Sequence, residues 1–512
     1  MIDPKLLADH ESAKQVALLL DNKCTNLEKR LEALVGQLAA LNGHKAPEQL
    51  VLELARLQEQ SARFQKKLFG DSSERRSKDR EEAAPKAKSS GHGPTKQPEL
   101  PRVETKLELD EDERICPSCR EVMQPMVGAT EDSELVDVLR QQYLLRTIRR
   151  QKYSCKCGIG VKIAPPPVRH LARGRYSLDF AAHTAAEKHV NHQPLDRQRR
   201  AMRRLGLTVT TQTLWDQIEA LATILAPVYD TLREYILGGD IVGVDETWWR
   251  LMKKKPTKRW WVWCMATPNA VWYGIDESRS AKTAGKFIGD FAGVVVCDAY
   301  KAYETVAKGS PDLRLALCWS HARRYYIDAE PHYPQCAEPI KLIGELFDID
   351  RRTADPSLLD GDHKVAAAQQ RQRMRAEHAP PILDKLRAWA IEQRGLPKSS
   401  LRKAIDYMLG HWIGLTTFLD DPFVPLHNNA TERALRGVVL GRKNHLGSKS
   451  KRGTEVAAIH YSLLETAMLC GLDPHAYLVS AVYALQHGMS PAEALPMSPY
   501  WQRHALPPAV DV

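Results

Sequence analysis

The run Asp240-Ile241-Val242-Gly243-Val244-Asp245-Glu246-Thr247-Trp248-Trp249 decides the fold. It reads as a strand in which a short β-branched stretch leads into Asp245, the place where a central strand carries a carboxylate. Two more strand-like runs follow, Trp260 to Ala266 and Ala270 to Ile275, and then a helical stretch from Ala281 to Phe291. Val294, Val295, Val296 and Cys297 are apolar in a row, as in a strand buried on both faces, and Asp298 comes directly after them. Two strands of one sheet that each end an apolar run in Asp set two carboxylates side by side.

A third acid is expected on a helix. Asn428-Asn429-Ala430-Thr431-Glu432-Arg433 supply a helix start, and the pattern runs through Leu435 and Val439 to a stop at Gly441. Spacing by four puts Asn428, Glu432 and Arg436 on one face, with Leu435, Val438 and Val439 turned away. Asp245, Asp298 and Glu432 repel one another unless divalent metal neutralises them, and two metals about 3.5–4 Å apart clamp both oxygens of a phosphodiester displacement. All-oxygen ligands favour Mg2+ or Mn2+ over zinc. The competing reading of the third acid is a capping box between Asn429 and Glu432, which leaves the other two acids unconnected.

The runs Val244-Asp245-Glu246-Thr247, Cys297-Asp298-Ala299-Tyr300-Lys301-Ala302-Tyr303, Leu317-Cys318-Trp319-Ser320-His321-Ala322-Arg323-Arg324, Asn428 to Arg436 and Gly441-Arg442-Lys443-Asn444 together resemble the insertion sequence 66 family of DDE transposases. Leu68 to Glu74 and the paired cysteines match family blocks as well, so the similarity spans nearly the whole chain. The resemblance implies a ribonuclease H-like core with Asp245, Asp298 and Glu432 as catalytic, magnesium-binding acids. It also implies an activated water that cuts at an element end, and a freed 3′ hydroxyl that attacks target DNA. The implied partners are the terminal inverted repeats, target DNA and accessory proteins of the same element. Two departures bear on end recognition: His427 stands where relatives carry an acid, and Gly447 to Lys451 lacks their aromatic. A ribonuclease H-like nuclease without strand transfer, and a non-catalytic zinc and coiled-coil DNA-binding regulator, are the alternatives.

With 512 residues, 43% of them hydrophobic, the chain holds several cores, and its net charge of +10 fits a polyanionic partner. No apolar stretch approaches the roughly 20 residues needed to span a bilayer, and the start lacks a signal-peptide pattern, so a cytoplasmic protein, nucleoid-associated on DNA, is expected. Of ten cysteines, Cys24, Cys264, Cys297, Cys318, Cys336 and Cys470 are scattered singly and read as reduced and mostly buried. No nucleotide-binding glycine loop ending in Lys-Ser or Lys-Thr occurs, which argues against ATP dependence.

The predicted fold class is multidomain α+β. Residues 1–70 carry a heptad seam (Ala17, Leu20, Cys24, Leu27, Leu31, Leu34, Leu38, Leu41) and a second one (Leu50, Leu54, Leu57, Phe64, Leu68). These form either an internal hairpin or a dimer seam, and a homo-oligomer, at least a dimer, is expected. Residues 71–104 are a polar linker. In 105–165, Cys116, Cys119, Cys155 and Cys157 suit tetrahedral structural zinc in a small β-rich module, the alternative being four ordinary thiols. Residues 166–238 look helical, with Arg199 and Arg203 on a helix that breaks at Gly206 and resumes at Thr210, the outline of a DNA-binding helix-turn-helix or of a plain bundle.

The core starts in 239–335 and resumes in 425–490, ahead of a tail at 491–512. Asp298 and Glu432 are 134 residues apart, so 336–424, rich in Ala, Arg, Gln, Leu and Glu, is read as a helical insertion. Arg442, Lys443, Lys449, Lys451 and Arg452, punctuated by Gly441, Gly447 and Gly453, form a basic loop suited to DNA phosphates alongside Arg436, against the alternative of a solvated charge run. His321 follows a strand expected from Leu315 to Trp319 and is either a satisfied core histidine or a DNA contact.

Overall fold

The computed structural model describes residues 174–252 and 258–503, with 113–118, 120–124, 141–154, 161–172 and shorter pieces of 26–60 ahead of them. The chain divides into two compact units, residues 70–142 and the remainder. In the smaller unit the chain turns tightly at the first cysteine pair: Cys116 N–H donates to Glu121 O at 2.8 Å and Arg120 N–H to Cys116 O at 2.9 Å. Ile115 bridges Val122 across the turn. Cys119, Cys155 and Cys157 lie outside the described residues, as do Gly43 and most of the first heptad seam.

In the larger unit, β1 (Lys152–Ser154) and β2 (Val161–Ile163) form an antiparallel ribbon ahead of three helices, α1 (Leu178–His189), α2 (Leu195–Arg204) and α3 (Thr211–Leu237). The expected break at Gly206 is present, and the residue takes a positive φ of 88°. Thr210 then caps α3 by accepting from Thr213 N–H. Leu214, Ile218, Leu221, Leu225, Val228, Leu232 and Ile236 recur by threes and fours along α3 and are all fully buried, the stripe of a helix that lies on a core.

That core is a five-stranded mixed sheet of β3 (Ile241–Leu251), β4 (Lys258–Ala266), β5 (Val271–Asp276), β6 (Gly293–Cys297) and β7 (Leu313–Leu317), in the order β5-β4-β3-β6-β7. β3, β4 and β5 are an antiparallel meander, while β6 and β7 run parallel to β3 and to each other. Helices α4 (Ala281–Ile288) and α5 (Lys301–Gly309) flank β6, and α6 (Trp319–Ala329) follows β7. The sheet is covered on both sides. Val242 and Val244 join Trp263, Met265 and α3 on one face. Trp249, Leu251, Val262 and Cys264 meet two later helices, α11 (Asn429–His445) and α12 (Lys451–Leu469), on the other.

Between α6 and α11 come four α-helices, α7 (Ala337–Arg351), α8 (Gly361–Glu392), α9 (Ser400–Gly410) and α10 (Trp412–Thr416), in the stretch read as a helical insertion. Arg375 on α8 is its electrostatic centre. The side chain is wholly buried and spends all five donors: Nε and Nη2 reach Asp350 at 2.8 and 2.7 Å, and Nη1 and Nη2 reach the carbonyls of Phe418, Asp421 and Val424 at 2.7–3.0 Å. Those carbonyls belong to the strap that enters α11.

Arg30 pairs with Glu53 at 3.5 Å, and residues 52–60 lie on the body with Leu57 and Glu59 buried. Glu59 Oε2 accepts from Ser400 N–H and Oγ–H at 3.0 and 2.9 Å, at the first turn of α9.

Arg375→Ala strands Asp350 and three carbonyls, and is expected to destabilise the chain by about 3–5 kcal/mol. Arg375→Lys should recover little of this, because an ammonium cannot reproduce the planar fork. Urea denaturation of the full chain measures both.

Candidate active site

β3 alternates strictly. Val242, Val244 and Glu246 point to one face, and Gly243 and Asp245 to the other, beneath the start of α11. Its parallel register with β6 pairs Ile241 with Val294, Val242 with Val295 and Gly243 with Val296. Continued by two residues, that register would set Asp245 opposite Asp298, which directly follows β6.

The third acid arrives with α11. Asn428 Nδ2 donates to Val244 O at 2.8 Å, and Thr431 Oγ1 donates to Asn428 Oδ1 at 2.7 Å. Glycine at 243 makes this seat possible: a Cβ there would fall on Thr431 Oγ1 and lie 2.9 Å from Asn428 Oδ1. Asn428, not Asn429, precedes the first helical residue, and its side chain makes no capping bond. The capping-box alternative is not formed.

Each acid keeps an oxygen for another partner. Asp245 Oδ1 accepts from Glu246 N–H at 2.8 Å and Asp298 Oδ1 from Tyr300 N–H at 3.1 Å, while Glu432 Oε1 is buried with no hydrogen-bond partner. Among the described residues no Lys or Arg pairs with any of the three. Burial, with Glu246, Asp298 and Glu432 nearby, pushes the Asp245 carboxyl up to about 7. A cluster of hard oxygen donors, with one carboxylate oxygen orphaned and another acid held near neutrality, suits a divalent cation such as Mg2+ or Mn2+.

Two neighbouring groups were not joined to the three acids from the sequence. Glu246, on the opposite face, is buried and accepts from Arg279 Nε at 2.6 Å and from Tyr303 O–H. Burial raises its pKa, while Tyr303 and Arg279 oppose the rise. Arg279 also stacks over Tyr300, 4.0 Å from the ring centroid, so this network ties β3 to the start of α5, where Asp298 sits.

Cys318 and His321 are the second addition. The strand expected from Leu315 to Trp319 is Leu313–Leu317, and α6 begins at Trp319, so Cys318 precedes the helix and His321 stands one turn on. His321 Nε2 is 3.8 Å from Glu432 Oε1, and Cys318 Sγ accepts from Asn428 N–H at 3.3 Å. Burial alone would raise the Cys318 thiol, but His321 and the Asn428 N–H hold it below its ordinary pKa. The Cys318 thiol beside the ring raises His321 against the effect of burial, and Glu432 and Asp298 add to the rise. The Cys-x-x-His spacing at a strand-to-helix junction was the available signal.

The expected basic loop is two different things. α11 runs through Gly441 to His445 and ends at Leu446 in the left-handed conformation, so Arg442 and Lys443 are helical. Arg442 is buried, stacks 3.8 Å from the centroid of Trp248 and donates to Thr247 Oγ1 at 3.1 Å. Arg452 pairs with Glu219 at 2.9 Å and with Glu455 at 3.3 Å, and Arg199 pairs with Asp196 at 2.8 Å. Arg203, Arg436, Lys443, Lys449 and Lys451 are exposed.

Comparison with known proteins decides the family. The Transposase IS66 family matches residues 173–456, which take in the sheet, the insertion and all three acids. The chain belongs to the IS66 transposase family. It is 32% identical over 412 residues to the protein named Uncharacterized protein y4jD of Sinorhizobium fredii (strain NBRC 101917 / NGR234), covering 76% of this chain and 78% of that one. Uncharacterized protein y4hP of the same organism is 27% identical over 419 residues, 76% of this chain and 74% of its own. No helix among the described residues of this IS66 family member is long and apolar enough to cross a membrane.

A carboxyl whose folded pKa lies above its unfolded value favours the folded state below the unfolded pKa and loses that contribution as pH rises through the folded one. For Asp245 the window runs from about 4, the ordinary carboxyl value, to about 7. In metal-free protein, Asp245→Asn should therefore raise Tm at pH 8, with the gain fading by pH 4, and Mg2+ should narrow the gap by stabilising the wild type. Thermal melts in chelator at the two pH values check this, and an unchanged or lower Tm at pH 8 contradicts it.

Proposed function

We propose that this IS66 family member is a DDE-type DNA transposase that binds the ends of its insertion sequence, cleaves a strand hydrolytically and joins the 3′ end to target DNA. The observation that carries the reading is Glu432, with a buried oxygen that has no hydrogen-bond partner, on a helix that Asn428 seats on the strand of Asp245, where Asp298 and Glu432 both act on the Asp245 carboxyl. The strand order β5-β4-β3-β6-β7, with a helical insertion ahead of the third acid, supports a ribonuclease H-like core.

Asp245, Asp298 and Glu432 are the residues that would hold Mg2+ or Mn2+. Bound there, divalent metal supplies charge neutralisation at the phosphodiester and a water acidic enough to attack near neutral pH. The protein's own part is placement. Asn428 and Gly243 set the height of Glu432 above β3, the Tyr300 N–H fixes one oxygen of Asp298, and the Glu246, Arg279 and Tyr303 network fixes the strand and helix beneath. Arg203, Arg436, Lys443, Lys449 and Lys451 are the exposed cations proposed to meet DNA phosphates. Arg199, Arg442 and Arg452 would first have to leave their present partners.

The four paired cysteines are proposed to hold one structural zinc, a reading that rests on their spacing. A homo-oligomer on DNA, accessory proteins of the element and a cytoplasmic location complete the proposal.

Asp245→Asn, Asp298→Asn and Glu432→Gln should each lower cleavage and joining by at least about 10³ while DNA binding remains, because each removes several kcal/mol of transition-state stabilisation. Double variants should be scarcely worse than single ones. Near wild-type cutting of element ends by any of the three removes that residue from the triad, and cutting without joining favours a simple nuclease. Changing Cys116, Cys119, Cys155 and Cys157 to Ser should release about one zinc per chain, and metal analysis that finds none in folded wild type would end that assignment.

A further inference from the structure

We propose that Cys318, His321 and Glu432 form a second cation site, for one thiophilic divalent metal of the zinc class, which shares Glu432 with the acid triad and closes it when filled. The Cys318 thiol sulfur, a ring nitrogen of His321 and a carboxylate oxygen of Glu432 all lie within 4.8 Å of one another. The His321 Nε2 to Glu432 Oε1 separation of 3.8 Å is close to the spacing a metal imposes. Bonds of about 2.0–2.3 Å at tetrahedral angles put ligand atoms roughly 3.3–3.8 Å apart.

Two further features point to a ligand. Glu432 Oε1 is buried without a hydrogen-bond partner, and a buried orphan acceptor carries a desolvation cost that a cation would relieve. The sulfur is also oriented from outside the trio: Asn428 N–H donates to Cys318 Sγ at 3.3 Å, the kind of outer contact that steadies a thiolate ligand. With three protein donors and His321 and Glu432 partly exposed, a fourth position is left to water.

Donor chemistry separates this site from the triad. A sulfur, nitrogen and oxygen set selects zinc, cobalt or cadmium, whereas Asp245, Asp298 and Glu432 offer oxygen alone and select magnesium or manganese. Both sets need the one Glu432 carboxylate, so they compete. The closing effect rests on the transposase reading above; the metal site does not.

The test titrates the full chain, purified with its zinc module loaded, with Co2+ in the absence of DNA. The expected result is a thiolate-to-cobalt absorption that saturates at one equivalent and is missing from Cys318→Ser. Loss of an outer contact alone costs about 10–100-fold in metal affinity, so losing a ligand in His321→Ala or Glu432→Gln should weaken Co2+ by at least about 100-fold. These two variants keep the test open if Cys318→Ser does not fold. Asp245→Asn should bind Co2+ as wild type does. Zn2+ added to an Mg2+ cleavage assay should inhibit, and a chelator should restore the rate. No thiolate absorption in folded wild type, or the same absorption in all variants, overturns the site. Cleavage that survives Asp245→Asn overturns the transposase reading and leaves the cobalt result standing.

Discussion

The hydrogen bond from Asn428 to the carbonyl of Val244 is the contact on which the site depends, because it joins the start of α11 to the strand that opens the core. Glu432 is one turn further on, and only a helix seated this low brings its carboxylate near residues some 134 or more positions earlier. The seat requires a bare backbone at Gly243, and the Asn428 side chain is drawn away from the helix end it would otherwise cap. α11 recovers its stability elsewhere. Ala434, Leu435 and Val438 pack on Trp249, Val262 and Tyr273, and Tyr273 O–H donates to Ala434 O at 2.8 Å. At the far end, Ser448 N–H donates to Arg250 O at 3.0 Å, so β3 holds the helix at both termini.

Within that frame the acids are electrostatically unfavourable to one another. Asp245 is pushed up to about 7 by burial and by three neighbouring carboxylates. Glu246, as deeply placed, has Arg279 and Tyr303 to answer its charge. The contrast between adjacent residues is informative: on one face of β3 the fold supplies a guanidinium and a phenol, and on the other, among the described residues, it supplies no Lys or Arg ion pair. Conflicts of this kind, left standing in an otherwise consistent core, mark function more often than stability.

How much was legible in the sequence follows from what each signal depends on. β3 and β6 could be read because apolar runs report burial locally, although Asp298 marks the end of β6 while β3 runs on past Asp245 to Leu251. Glu432 could be read because spacing by four and a polar start report one helix face. The helices between α6 and α11 were legible only as a distance too long to be a connection. The pairing of Cys318 with His321 escaped because its meaning lies in where β7 stops: a boundary placed two residues late leaves Cys318 inside a strand and hides that it and His321 share a helix start. Boundaries are set by tertiary contacts, and here Trp319 N–H donates to Leu426 O at 2.9 Å, a partner 107 residues away. The docking of Glu59 on Ser400 is likewise invisible to a heptad count, which registers that a seam exists and not what it meets.

The basic residues show the same limit in a different form. Composition counts Arg442, Lys443, Lys449, Lys451 and Arg452 as five equal charges, but a guanidinium has a planar face and a fork of donors that a fold can absorb, whereas an ammonium on a long stem is readily left in solvent. Arg442 lies flat against Trp248 and bonds the strand beside it, and Arg452 bridges α12 to α3 through Glu219. The three lysines stay exposed. Arg442 and Trp248 thereby stiffen β3 two to three residues past Asp245 and secure α11 ten residues past Glu432, at the junction of the two elements that carry the acids. An arginine taken into the core at that point holds the geometry of β3 against α11, and the charge left facing solvent is that of the cations the fold did not use.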